Sequence, residues 1–424
     1  VSARTRLAGR VAALAMSLVL TVSGCGGDDS TNGGGSDNTP AESTELALRV
    51  SGVPSHLNVG VIVSLGTGET EGSQWADNAN GIQVAAYRLG LAGTEVEFTT
   101  IDDRGDSAEA VNAVQALSEA GVAGIVMATS GDHVDAALTR ANELGVPVIA
   151  PYEQDTGALG ETAWITGPST DQVRRKLGDA LASQNATAPL LVDAGSGEVS
   201  GIAYVGRADA SAGNFATTIQ SQIESAGADS VIVSGPATRL GAAVAGLQNA
   251  GVQVPIICTP DALSAQFSQS FVDNNASLSA PLLSVGTNTS DAAALTSGAD
   301  GNAISAYLSG VRVMAAQNKH ADLSGERTFS EVAQAADIAS HDALVVLADA
   351  AAEAGSTKPA KITEAMGELV LGHDDGLAGA PLDLRKHAGL PEGPMAVLSA
   401  SSQDLGLRPS TTTRTLVWFT TASS

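Results

Sequence analysis

Apolar runs of four to eight residues alternate along this chain with stretches whose apolar residues return every third or fourth position. Gly121 to Gln154 shows the grammar in full. Val122 to Ala128 is an unbroken apolar run, short enough for a strand buried on both faces. Thr129-Ser130-Gly131 makes a small polar turn, and Asp132 stands where a helix N-cap belongs. Val134, Ala137, Leu138, Ala141 and Leu144 then recur at helical spacing, with Gly145 as the closing glycine. A second run, Val146 to Ala150, ends at Pro151. The pattern predicts strand, helix, strand.

The same alternation runs on both sides. Leu57 to Leu65 predicts a strand, followed by a glycine-rich turn and a helix over Asn78 to Leu89. Glu95 to Ile101 predicts the next strand, and Asp106 with Glu109 a capping box for the helix through Leu117. After Trp164 the pattern restarts. Helices are expected at Asp171–Ala182, Gly213–Ala226, Leu240–Ala250 and Ala262–Asn274, and strands at Gly201–Val205, Asp229–Ser234 and Val254–Cys258. Long helical stretches follow at Asn302–Gln317 and Ala333–Ala354, then β-rich segments at Pro381–Leu384 and Met395–Ala400. Leu46 to Val50 is a possible added strand, with Leu416-Val417-Trp418-Phe419 as its partner. Short strands alternating with helices imply an α/β fold: two doubly wound parallel-sheet lobes joined by hinge strands. The cleft then lies at the carboxyl ends of both sheets.

Unpaired N–H groups and the positive end of the dipole at a helix start make the turn Thr129–Gly131 suitable for a carboxylate. An ordinary crossover reads the same way, so the turn alone does not decide.

A chain of 424 residues exceeds one ordinary core. Its formal charge of −25 supplies no basic patch for phosphates and excludes nucleic acid as a partner. The N-terminal segment changes the picture more. Arg4, Arg6 and Arg10 precede the apolar stretch Val11 to Val22, which is short for a membrane span. Val22-Ser23-Gly24-Cys25 then looks like a lipoprotein processing site with Cys25 as the lipidated residue. Gly26 to Thr44 lacks a core-forming pattern and reads as a flexible tether, reaching about 25 Å. The other cysteine, Cys258, falls in an apolar strand as a small core residue.

Rival chemistries are weakly supported. Gly66, Gly68 and Gly72 follow a strand, but at a spacing one residue longer than the dinucleotide fingerprint. The six histidines show no metal-binding helical spacing, and His373-Asp374-Asp375 reads as a solvated loop. Ser200 in GEVSG is misplaced for a nucleophile elbow, and His133 near Ser130 falls in a first helical turn. No enzyme activity, cofactor or metal is expected.

Five segments of the first lobe, VGVIVSLGTG, ANGIQVAAYRLG, IDDRGD, GVAGIVMATS and GVPVIAP, resemble type I periplasmic binding proteins of the leucine/isoleucine/valine-binding family that serve ABC importers. GADSVIVSGPATRLGAAVAGLQNAGVQVPIICTPDALS and ASHDALVVLADAAAEAG extend the resemblance, which covers most of Asn58 to about Leu407. No single motif is specific; their order is. The resemblance implies a ligand carboxylate at Ser130, beside Thr129, and a ligand ammonium at Asp261. It implies a further contact at His341, where the family often has tyrosine, and Trp75 reads as an aromatic wall. Tyr152-Glu153-Gln154 replaces the family's small-small-threonine segment, placing Tyr152 and Gln154 in the pocket, and Asp209-Ala210-Ser211 lacks the usual closing tyrosine.

The expected organisation is a signal peptide (1–24), a lipidated tether (25–56) and a first lobe (57–166). A second lobe (167–284), a return to the first (285–370), completion of the second (371–410) and a C-terminal extension (411–424) follow. The expected function is a lipid-anchored receptor on the extracytoplasmic face of the cell membrane. It would pass an amino acid or related small carboxylate to an ABC permease after hinge closure. A receptor of the same fold that signals to a membrane partner is the alternative.

Overall fold

Five parallel strands build the first sheet: β1 (His56–Val63), β2 (Glu95–Asp102), β3 (Gly124–Met127), β4 (Val148–Ala150) and β5 (Ala163–Ile165). Their order is β2-β1-β3-β4-β5. The computed structural model describes residues 45–66, 70–409 and 416–421. β3 and β4 are buried throughout, as their unbroken apolar runs require. One face of the sheet packs with helices Gly81–Ala92 and Ile338–Ala354, the other with Ser107–Glu119 and Asp135–Leu144. Asp106 caps the helix that follows it by accepting from the Ala108 and Glu109 amides. Gly145, at φ 66°, ends its helix in the left-handed region that glycine adopts without penalty.

The second sheet holds β6 (Pro189–Asp193), β7 (Gly206–Asp209), β8 (Ser230–Ser234), β9 (Ile256–Cys258) and β10 (Leu282–Thr287). A short hairpin, β11 (Val370–Leu371) with β12 (Leu382–Asp383), stands apart. β13 (Met395–Ser401) and β14 (Val417–Thr420) then complete the second sheet in the order β14-β13-β10-β9-β8-β6-β7. β13 runs antiparallel to an otherwise parallel sheet, and β14 pairs antiparallel with β13 at the edge. Helices Phe215–Ala226, Ala237–Asn249 and Ala265–Asp273 cover one face, and Thr170–Ser183 covers the other.

The chain crosses between the sheets three times. The first crossing follows β5, and the second follows β10, after which helices Ala299–Gln317 and Ile338–Ala354 pack on the first lobe. The third falls at Met395, which packs with Leu371, Leu377, Leu382, Leu384 and Leu390 in the first core while its backbone opens β13. Completion of the second lobe therefore begins at β13, later than the expected residue 371.

Three local expectations are corrected. Gly201–Val205 is irregular loop, with Gly201 at φ 80°, and the strands lie on either side of it at β6 and β7. Leu46–Val50 is no strand: Leu48 is buried in the first core and donates its amide to the Arg88 carbonyl, while β14 pairs with β13. The helix expected over Ala262–Asn274 starts later, at Ala265. A short 3-10 turn covers Pro260–Leu263, and Ser264 caps Ala265–Asp273 through the Phe267 amide. Residues 1–44 lie outside the described residues, Cys25 and the expected signal peptide and most of the tether included, as do Gly68 and 410–415. Among the described residues no helix is long and apolar enough to cross a membrane.

Candidate functional site

The turn after β3 carries the N–H groups that suit an anion, and the chain fills them itself. Glu71 reaches over from the loop after β1. One of its carboxylate oxygens accepts from the Asp132 amide at 2.9 Å, the other from the His133 amide at 3.3 Å. Glu153, directly after the Tyr152 position, is buried and accepts from the Gly131 amide at 3.1 Å and from the amides of Gln154 and Asp155. Gly131 must be glycine: its φ is 127°, and an added Cβ would lie 2.4 Å from the Glu71 carboxylate. Asp132 caps nothing; Gly131 holds the cap position of a 3-10 turn, Asp132–Val134.

Behind the turn lies a buried polar chain. His133 Nε2 is 3.1 Å from Asp103 and its Nδ1 is 3.1 Å from Glu71. Ser64 donates to Asp103 at 2.6 Å and stands 2.7 Å from Thr129 Oγ1. Burial works against the charged imidazole, but the hydrogen bonds and charges of Asp103 and Glu71 outweigh it and hold the His133 pKa above its ordinary value. Thr129 is fully buried in this chain and faces no cleft.

Ser130 accepts the indole N–H of Trp75 at 3.0 Å. Trp75 in turn lies flat on Tyr152, with ring centroids 4.5 Å apart and planes 2° from parallel. The Tyr152 hydroxyl donates to the Asp337 carboxylate at 3.0 Å. Asp337 caps helix Ile338–Ala354 by accepting from the Ser340 amide and hydroxyl at 2.9 and 2.8 Å. Burial pushes its pKa up to about 6 against those bonds.

The lobes touch through the same loop. Gln266 donates to the Ser73 carbonyl at 3.0 Å, and the Ala265 amide to Asn78 at 3.1 Å. Gln74 reaches Asp261 at 3.5 Å, and burial raises that carboxyl to a pKa of about 6. Beside these contacts is a cavity of about 260 Å³, bounded by Trp75, Tyr152 and Asp337 from the first lobe and Leu263, Ser264 and Ser268 from the second. Its walls also include the two crossings at Thr166–Pro168 and Thr287–Asp291, with Arg408 and Trp418 from the C-terminal segment. Arg408 is spoken for: Nε and Nη2 bind both oxygens of Asp291 at 2.7 and 2.9 Å, and Nη1 donates to the Ala336 carbonyl at 2.6 Å.

A cavity between two parallel α/β sheets, bounded by the chain crossings, is the architecture of a hinged binding protein. The sequence profile of a family described as periplasmic binding protein matches residues 56–404. This chain belongs to the periplasmic binding protein family.

The family is one of solute-binding proteins and not of enzymes. Several solved structures share the fold of this periplasmic binding protein. An ABC transporter substrate-binding protein from Desulfitobacterium hafniense, in complex with Leu, is 14% identical with a TM-score of 0.59, over 85% of this chain and 99% of that one. The branched-chain amino acid transporter substrate binding protein LivJ from Streptococcus pneumoniae, in complex with isoleucine, is 16% identical with a TM-score of 0.60, over 82% and 96%. An ABC transporter solute binding protein from R. palustris, in complex with 4-hydroxybenzoate, is 15% identical with a TM-score of 0.59, over 86% and 96%. No curated protein sequence matches the chain.

In this periplasmic binding protein, Trp75, Tyr152 and Gln154 border the cavity; Ser130 stands behind Trp75, and Asp261 stands at the lobe contact. His341 is elsewhere. It is fully buried, 2.9 Å from Arg88 and 2.7 Å from Asp342, and it stacks edge-on against Tyr307. It faces the helix Gly81–Ala92 side of its own helix, whereas Asp337 on the cap reaches the cavity. Asp337 and Glu71 were missed from the sequence. Asp337 carried a readable signal, an aspartate three residues before a serine at the start of an apolar helix. Glu71 carried none, since its partners lie sixty residues on.

Proposed function

We propose that this chain is the lipid-anchored solute receptor of an ABC importer, held at the extracytoplasmic face of the membrane through Cys25. A small solute docks in the interlobe cavity and the lobes close over it. The observation that carries this reading is the 260 Å³ cavity, bounded by both lobes and by two of the chain crossings. Membership of a solute-binding family and neighbours that hold leucine, isoleucine or 4-hydroxybenzoate support it.

An amino acid or related small carboxylate is the ligand expected from the sequence. Its amine end has a supporting acid in Asp337 on the cavity wall, while Asp261 stands at the lobe contact. Its acid end has less support, because the donors near Ser130 already hold Glu71, Glu153 and Trp75.

Native mass spectrometry of freshly purified protein tests the receptor reading. A small molecule should remain bound under gentle conditions and leave on denaturation, and small-angle scattering should show expansion when it leaves. An unliganded mass together with scattering that no added solute changes would count against it. For the anchor, Cys25→Ser should move the protein from the detergent phase to the aqueous phase; equal partitioning of mutant and wild type removes that part of the proposal.

A further inference from the structure

The charged groups on the cavity wall are four aspartates, 291, 337, 342 and 404, against one arginine, Arg408. Arg408 is bound on both edges by Asp291 and backbone carbonyls, so it offers a ligand no free donor edge. The amides of the turn after β3, the other place for an anion, hold Glu71 and Glu153. Asp132, Asp135 and Asp155 crowd the same turn; desolvation, then the charges of Asp155, Asp132 and Glu71, raise the Asp135 carboxyl. A carboxylate entering there meets acids, not open N–H groups.

Asp337 is in the opposite position. Its partners are the neutral Ser340 amide and hydroxyl, the Tyr152 hydroxyl and, at 3.4 Å, Asn78; among the described residues it forms no ion pair. A half-buried carboxylate held only by neutral donors favours a cation close by. The Trp75–Tyr152 stack adjoins it, and an aromatic face is a second attractor for a cation. Leu263, Leu390, Leu398 and Leu407 supply apolar wall for the rest of a ligand.

We propose that the solute carries an ammonium, or a comparable cationic donor, on an apolar body and has no carboxylate, with Asp337 as its charge partner. The proposal rests on the receptor reading above and narrows its ligand.

Calorimetry on the full soluble chain, with matched pairs, tests it: leucine against isopentylamine, phenylalanine against phenethylamine, tryptophan against tryptamine. At least one amine is expected to bind ten-fold or more tighter than its parent amino acid. Asp337→Asn, which still caps a helix, should lose ten-fold or more of that amine affinity while the empty protein keeps its melting temperature. An amino acid that binds as tightly as its amine, or an Asp337→Asn variant with undiminished amine affinity, overturns the ligand class and leaves the receptor standing. Failure of all three amines to bind overturns the ligand class, while the receptor reading stands or falls separately on the native mass measurement.

Discussion

Glu71 clamps His133 twice: one carboxylate oxygen sits 3.3 Å from its backbone amide and 3.1 Å from its ring Nδ1. The other ring nitrogen meets Asp103, which is fully buried. The imidazole thus joins the loop that carries Gln74 and Trp75 to the first sheet, and its proton holds that junction.

The sign of the pH effect follows. The folded pKa of His133 lies above the unfolded value of about 6.5. Its contribution is therefore full below that value and is lost as pH rises through the raised folded pKa. Denaturant titrations of wild type and His133→Gln between mildly acidic and mildly basic pH should show the wild-type advantage shrinking as pH rises. Parallel stability curves would contradict the assignment.

Ser130→Ala should act on stability and not on recognition of an acid. The substitution strips the Trp75 indole of its acceptor, and leaving a buried N–H unsatisfied costs about 1–3 kcal/mol. Thermal melts should fall accordingly, while ligand affinity stays within a few fold. A large affinity loss with an unchanged melt would restore Ser130 as a ligand contact.

Asp261 has a raised carboxyl, at about 6, because the lobe contact half-buries it and takes water from its charged form. A carboxyl raised in the folded state destabilises it progressively as pH climbs through that value. Asp261→Asn should therefore match wild type at strongly acidic pH and gain on it above pH 6, by on the order of 1 kcal/mol. The check is the difference in unfolding free energy across that range; a gain that appears only on acidification would refute it.

Arg408→Met should be strongly destabilising. It leaves Asp291 without its counter-ion and the Ala336 carbonyl without its donor. Breaking one side of a fully buried pair costs about 3–5 kcal/mol, and this part-buried pair should approach the lower end. Adding Asp291→Asn to the same variant should recover part of the loss; a double mutant no better than the single one would mean the carbonyl contacts dominate.

The fold was legible wherever a segment's own pattern decided its state. The apolar runs at β3 and β4 and the helix ending at Gly145 needed no distant information. Reading failed where partners were remote. β6 is a short run between an alanine-rich helix end and a glycine-rich loop, and the loop after it, with Val199 donating to the Tyr204 hydroxyl, resembles a strand in composition. The site failed for a related reason. A turn that suits an anion looks the same in sequence whether a ligand or Glu71 supplies the carboxylate, and His341 at a helix start looks the same facing a cleft or facing Arg88.

Because the chain crosses between sheets three times, neither lobe is a continuous stretch of sequence. The first five strands can pair once β5 has been made, but one face of that sheet waits for helix Ile338–Ala354. The second sheet waits longer still, for β13 and β14 near the end of the chain. Long-range closure of this kind slows folding and leaves apolar surface bare in the meantime. A truncated first lobe, 57–166, is therefore expected to expose the sheet face that helix Ile338–Ala354 covers, and to aggregate in place of folding.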